Sequence, residues 1–240
     1  MQKTLITLIA SGLTIGIHQA YPVGAEEAEG QETLTGLWAG TLSVEGQRPR
    51  LFLNIEDFAE SCSIAYESRD EQPYLELAAV EPFCSNAKIE ADFAAVSAIM
   101  TGSLNNDGRI EAIWKQGGYR LSVEFERFTD PALEIVSSGQ DQYLGDFEGI
   151  LATPNGDLPL VLTLEKTPYR LKAMIESPSQ APDTFFGASD ITMSANEISL
   201  IVPQIGAIFQ GLWNAENRSW SGEFVQGGEA LPMTFQASKE

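Results

Sequence analysis

Apolar and polar residues alternate with a period of two along much of this chain. Leu51, Leu53 and Ile55 are interleaved with Phe52, Asn54 and Glu56, and Leu160, Leu162 and Leu164 with Val161, Thr163 and Glu165. Leu121, Val123 and Phe125 alternate with Ser122, Glu124 and Glu126, as Leu231, Met233 and Phe235 do with Pro232, Thr234 and Gln236. Successive side chains of a strand point to opposite faces, so this pattern predicts strands with one buried and one wet side. No window carries a sustained helical stripe, and the chain reads as all-β. Asn105-Asn106-Asp107-Gly108, Pro154-Asn155-Gly156-Asp157, Gly117-Gly118 and Gly227-Gly228 separate the strands. Such residues supply hairpin turns, and short turns imply antiparallel neighbours.

The pattern is written twice. Gly36-Leu37-Trp38-Ala39-Gly40 returns 109 positions later as Gly145-Asp146-Phe147-Glu148-Gly149, and Trp114-Lys115-Gln116-Gly117-Gly118 returns 110 positions later as Phe224-Val225-Gln226-Gly227-Gly228. A near-constant offset is the mark of a repeated structural unit. The expected organisation is a leader over 1–25, an acidic lead-in over 26–34, one β-domain over 35–128, a linker over 129–142, a second β-domain over 143–236 and a tail over 237–240. Each copy holds about eight short strands in an antiparallel meander. Their apolar face must be hidden, which favours a small calycin-like barrel over a sandwich. One sheet shared by both copies is a third arrangement.

Residues 1–25 have the layout of a secretory leader: Lys3, an uncharged apolar stretch from Leu5 to Ile17, and Val23-Gly24-Ala25 ahead of Glu26-Glu27. The apolar stretch is shorter than a membrane-spanning helix needs. Cleavage after Ala25 would remove the only histidine, His18, and with it the usual general base and metal ligand near neutral pH. The whole chain carries a formal charge of −20, one unit more negative once Lys3 is gone. Phosphate backbones and anionic membrane surfaces would repel it, so neither a nucleic-acid partner nor stable membrane insertion is expected. Cys62 and Cys84 are the only cysteines, and in an exported protein they are expected to form a disulfide. Their counterparts, Leu171 and Met193, are apolar, which puts both positions toward an interior.

Candidate chemistry is sparse. Ser177, in the matching loops Glu67-Ser68-Arg69 and Glu176-Ser177-Pro178-Ser179-Gln180, has no histidine to activate it and no Gly-x-Ser-x-Gly setting. Ser85-Asn86-Ala87-Lys88 fits Ser-x-x-Lys without its companion motifs. Asn105, Asp107 and Gly108 resemble half a calcium loop, but Trp114 stands where the last carboxylate is required. No catalytic residue, metal site or cofactor is assigned. Trp38 and Trp114 exchange with Phe147 and Phe224, and Trp220 falls opposite Ile110, as core positions do. Trp213 replaces Leu104 beside a turn. With Gln116 and Gln226, at the tips of equivalent hairpins, it is a candidate ligand contact.

The run from Gly145-Asp146-Phe147-Glu148-Gly149 through Leu160–Leu164, Glu176-Ser177-Pro178-Ser179-Gln180 and Ile205–Gly211 to Gly222–Gly228 with Leu231-Pro232-Met233 resembles the β-rich accessory domain that precedes the catalytic domain in many bacterial secreted α/β-hydrolases. The resemblance covers about 95 residues of the second copy and is looser over the first, where Ser68-Arg69-Asp70-Glu71-Gln72 departs from the Ser-Pro-x-Gln pattern. It implies a supporting or recognition role. The family's catalytic residues have no matching positions in this sequence.

The expected protein is therefore a periplasmic or extracellular, non-catalytic binding or interaction module for a small molecule, glycan or protein. A hydrolase working through carboxylates alone and a calycin-like carrier of an apolar small molecule are the alternatives.

Overall fold

The period-two alternation closes into structure at the first strand pair. In the computed structural model, which describes residues 33–57, 61–85 and 87–238, β1 (Gly36–Thr41) lies antiparallel to β2 (Arg50–Asp57), with Trp38 opposite Leu53 and Gly40 opposite Leu51. Trp38, Leu51, Leu53 and Ile55 are buried on the inner face as the alternation requires. The expected leader and its cleavage site lie outside the described residues.

The first sheet continues through β3 (Cys62–Ser68), β4 (Leu77–Ala78), β5 (Val80–Ser85), β6 (Lys88–Phe93), β7 (Ala98–Leu104), β8 (Ile110–Gln116) and β9 (Tyr119–Arg127). A helix, α1 (Pro131–Ser137), precedes the second sheet. That sheet comprises β10 (Gly145–Thr153), β11 (Gly156–Lys166), β12 (Leu171–Ser177), β13 (Ala181–Gly187), β14 (Asp190–Met193), β15 (Glu197–Val202), β16 (Ala207–Asn214), β17 (Ser219–Gln226) and β18 (Glu229–Ala237). The strand orders are β4-β3-β2-β1-β9-β8-β7-β6-β5 and β13-β12-β11-β10-β18-β17-β16-β15-β14. The paired strands are antiparallel throughout. One sheet curls into a nearly closed barrel and the other into a half-barrel. Strands β1–β9 and β10–β18 form separate sheets, not one continuous sheet.

Each sheet has nine strand segments where the alternation suggests about eight, because one strand changes partner midway. The Ala79 N–H donates to the Ile64 carbonyl of β3 at 2.8 Å, whereas Val80 lies opposite Asp92 of β6. In the second sheet the Ala188 N–H donates to Ala173 of β12, and the next N–H, of Ser189, donates to Ile201 of β15, both at 2.8 Å. One residue thus carries the chain from one open edge of the sheet to the other. The remaining gap is held differently in each. A disulfide joins Cys62 of β3 to Cys84 of β5, with 6.0 Å between their Cα atoms. The second sheet has α1 beside β14 instead, with Leu171 and Met193 in its core.

Helix α1 has no counterpart in the sequence expectation, which treated 129–142 as linker. It spans seven residues, too few for a stripe to show. Its end signals are nevertheless present: Asp130 caps it by accepting the Ala132 N–H at 3.0 Å, and Pro131 fills the first turn. Ala132, Val136 and Tyr143 of this segment are buried in the second core. The other Asp130 oxygen accepts the Leu171 N–H at 2.7 Å, tying the helix to β12.

Two hydrophobic clusters fill the inner faces. In the first, Phe93 stacks on Trp114 with ring centroids 5.4 Å apart, and Tyr66 meets both rings edge-on. In the second, Phe209 meets Phe235 at 5.0 Å. The repeated Gly-x-Trp/Phe-x-Gly opening has a packing explanation at both glycines. Gly36 and Gly145 have positive φ of 145° and 108°. At Gly40 a Cβ would lie 2.8 Å from the Glu124 carbonyl and 2.5 Å from the Phe125 ring, so only glycine lets β9 cross so close.

Candidate functional site

The two Gln-Gly-Gly hairpins share one construction. Gly117 and Gly118, like Gly227 and Gly228, take the positive φ that a two-residue hairpin requires. The Gln116 side-chain amide donates to the Val96 carbonyl at 2.9 Å, and that of Gln226 donates to the Ile205 carbonyl at 2.8 Å. Each glutamine therefore pins its hairpin to the 3₁₀ turn before the preceding strand. The Gln116 oxygen also accepts the Trp114 indole N–H at 3.1 Å. Phe224 stands in place of Trp114 and has no N–H to offer, so the Gln226 oxygen is not held in that way.

Around these hairpins the sheets diverge. In the first, Leu42 is buried, Val44 packs on the core, and the Val44 and Gln47 backbones pair with each other, folding the β1–β2 loop inward. The Tyr119 hydroxyl then donates to Glu45 at 2.6 Å, tying that loop to the Gln116 hairpin. The neighbouring carboxylate raises the Tyr119 hydroxyl above its ordinary value.

The second sheet lacks this latch. Its β10–β11 turn is tight, with Asn155 donating its N–H to Thr153 Oγ1, and the counterparts of Val44, Glu45 and Tyr119 are Thr153, Pro154 and Glu229. A cavity of about 540 Å³ opens there. Leu151, Leu158, Phe224 and Leu231 form its floor, and Thr153, Ser179, Gln180, Gln226 and Glu229 its polar rim. Ser177, the last residue of β12, does not line the cavity; its hydroxyl is buried and without a hydrogen-bond partner among the described residues.

Trp213 lies elsewhere. It is half-buried in an aromatic cluster, 5.1 Å from Tyr143, 4.9 Å from Trp220 and 6.0 Å from Phe147. The Tyr143 hydroxyl donates to the Ala195 carbonyl in the same cluster. Trp213 is thus at the end of the second sheet opposite the Gln226 hairpin, and the structure does not bring the two together.

A second concentration of charge joins the two sheets. Arg50 of β2 donates to Asp70 through Nε at 2.8 Å and Nη2 at 2.5 Å, and to both oxygens of Asp190 in β14 at 2.7 and 2.8 Å. These carboxylates raise the Arg50 guanidinium, and Arg50 in turn lowers Asp190 to about 2. Arg170, in the β11–β12 loop, donates to Glu67 at 2.5 Å with both side chains buried, and to Glu76 at 3.2 Å. Arg69 donates to the Ser189 carbonyl and lies 4.6 Å from the Phe52 ring, which packs on Phe128. Burial lowers the Arg69 guanidinium. Tyr74 accepts the Ala173 N–H at 3.2 Å, and burial pushes its hydroxyl up to about 12. Gly187 leaves room for this loop, since a Cβ there would be 2.7 Å from the Tyr74 ring and 2.8 Å from the Pro73 carbonyl.

Sequence reasoning missed this junction. Glu67 and Ser177, expected in loops, end strands β3 and β12. The signal that could have found it is the departure Ser68-Arg69-Asp70-Glu71-Gln72. Arg50, Arg69, Asp70 and Tyr74 have Pro159, Pro178, Ser179 and Asp183 as counterparts. The first sheet's segment departs from the expected pattern where that sheet meets the second.

Among the described residues, no group of three or more His, Cys, Asp or Glu side chains is arranged to hold a metal ion. No helix among them is long and apolar enough to cross a membrane.

No protein-family model matches this chain, and no curated protein matches it. Solved structures of low similarity include a "putative outer membrane protein" from Bacteroides fragilis NCTC 9343, at 10% identity over 85% of this chain and 97% of that one, with a TM-score of 0.27. A protein with unknown function from the DUF3598 family of Nostoc punctiforme PCC 73102 aligns at 9% identity over 84% and 94% of the two chains, with a TM-score of 0.25. At these TM-scores the likeness carries no argument about what this chain does.

Proposed function

We propose that this chain is an exported, non-catalytic binding module in which the first repeat docks on the second and the hairpin end of the second sheet receives a ligand. The observation that carries this reading is the difference between two equivalent ends. Where Tyr119 and Glu45 tie the first sheet across, Glu229 and Pro154 leave a cavity of about 540 Å³. The cavity sets a predominantly polar rim over an apolar floor, and convergent polar groups of that kind fix the orientation of a small ligand. The Cys62–Cys84 disulfide supports an oxidising, periplasmic or extracellular setting. The resemblance to hydrolase accessory domains points the same way, toward recognition. Fully buried Phe209, Trp220 and Phe235 occupy the inner face of the second sheet, as Phe93 and Trp114 do that of the first, which favours the rim over an interior carrier site.

The test is a library of small molecules, glycans and peptides titrated into labelled protein, followed by amide shifts. Perturbations are expected at Thr153, Gln180, Gln226 and Glu229 and not at Val44, Gln72, Gln116 or Tyr119. Ligand-induced shifts confined to other surfaces would remove the proposal.

A further inference from the structure

We infer that the cavity at the hairpin end of the second sheet takes a small amphiphilic cation, an amine head carrying a short apolar chain. This rests on the preceding reading of the cavity as a ligand site and adds the chemical class.

The argument starts from side-chain parity. In β18, Met233 and Phe235 point into the core, so Leu231 and Glu229, two and four residues earlier than Met233, point the same way. In β17, Trp220 and Phe224 are buried, which puts Gln226 on the inner face, paired across the hairpin with Glu229. The innermost polar rung of the cavity is therefore Thr153, Gln226 and Glu229. The same rung of the first sheet is Val44, Gln116 and Tyr119. A valine and a tyrosine have become a hydroxyl and a carboxylate, the Glu45 carboxylate has become Pro154, and the shared glutamine has lost the indole donor that occupied its oxygen.

In the first sheet the carboxylate at this end, Glu45, accepts the Tyr119 hydroxyl, whereas in the second Glu229 stands in the place of that tyrosine and no tyrosine faces it. The Glu229 carboxylate and the Gln226 oxygen are acceptors, and the Thr153 hydroxyl, which donates to the Gly156 carbonyl and accepts the Asn155 N–H, keeps one acceptor site. No lysine or arginine lines the cavity, and Asp157 adds a second carboxylate at its edge. An anionic head would meet Glu229 without a counter-charge. An ammonium head would find acceptors, and charge-assisted hydrogen bonds are the strong kind. The chain attached to it would run along Leu231 toward Leu151 and Phe224. Leu231 is two residues along β18 from Glu229, a rise of roughly 7 Å, which a six-carbon chain spans. A protein partner docking as the first sheet docks is disfavoured, because Pro159, Pro178, Ser179 and Asp183 have replaced the four docking residues.

Hexylamine, 1-hexanol and hexanoate, titrated into the whole chain at pH 7 and followed by amide shifts and calorimetry, separate the possibilities. Expected are saturable shifts at Thr153, Gln226 and Leu231 with hexylamine, weaker binding of hexanol, none of hexanoate, and affinity that falls as salt rises. Glu229→Gln should lower hexylamine affinity about tenfold, to the level of hexanol, with an unchanged melting temperature because the side chain is exposed. The triple variant Thr153→Val, Pro154→Glu, Glu229→Tyr, which rebuilds the latch of the first sheet, should abolish binding of all probes. Equal affinity for hexanol and hexylamine at this cavity, or preference for hexanoate, would overturn the cationic class and leave the cavity as a ligand site. No shift at Thr153, Gln226 or Leu231 with any probe would overturn both.

Discussion

Arg170 and Glu67, 103 positions apart in sequence, meet at 2.5 Å with side chains only 3% and 2% exposed. Each comes from a different sheet, so the pair exists only when the two are docked. A buried pair is costly to assemble and costlier to break, because removing one partner strands the other charge away from water. Arg170→Met should therefore destabilise the protein by about 3–5 kcal/mol, while Arg170→Met with Glu67→Leu should recover most of that loss. Urea denaturation of the two variants checks this. Similar losses in the single and double variants would show that the pair is not what holds the junction.

Asp190 links the same junction to pH. Its carboxyl is held at about 2, below the 3.8 of a free aspartate, chiefly by Arg50. A lowered carboxyl contributes stability that is complete above the unfolded value and is lost as pH falls through the folded one. The contribution should thus be intact at pH 5 and fade between roughly pH 4 and 2. Both side chains are more than a third exposed, so screening keeps it to about 1 kcal/mol or less. Asp190→Asn should flatten that part of the pH profile and leave stability between pH 5 and 8 nearly parallel to wild type. An unaltered slope below pH 4 would exclude Asp190 as its source.

The Cys62–Cys84 disulfide closes a loop of 22 residues across the edge gap of the first sheet. Replacing both cysteines by alanine should cost about 3 kcal/mol by the chain-entropy account. Hydrogen exchange should accelerate in β3 and β5 while β12 and β14, joined by no disulfide, stay protected. Uniform acceleration over both sheets would mean that the bridge stabilises the junction and not its own edge.

Gly149 explains half of the repeated opening motif. A Cβ there would collide with the Thr234 carbonyl and lie 2.5 Å from the Met233 methyl. The methyl can swing away, but the carbonyl belongs to the β18 backbone. Gly149→Ala should force β10 and β18 apart and destabilise by about 1–3 kcal/mol, visible as a lower melting temperature. Unchanged stability would show that the crossing is looser than it looks.

What the amino-acid order determined by itself was local. Alternation at Leu51–Glu56 or Leu231–Gln236 reports which side of a strand faces apolar neighbours, and glycine pairs report where the backbone must take positive φ. These depend on a few adjacent residues, which is why the all-β class, the antiparallel hairpins and the apolar setting of Leu171 and Met193 were legible. Phe52 shows the limit. Alternation puts it on the wet face, yet it is buried under Phe128 and Arg69 because the second sheet covers that face. Docking likewise decided that Arg50, Arg69 and Arg170 are junction residues, and that Trp213 sits among Tyr143, Phe147 and Trp220. The cavity beside Gln226 depends on whether residue 119 or its counterpart 229 can reach across to the first loop. Contacts between residues some 100 positions apart are fixed by how two finished surfaces fit, and no periodicity within a strand encodes that fit.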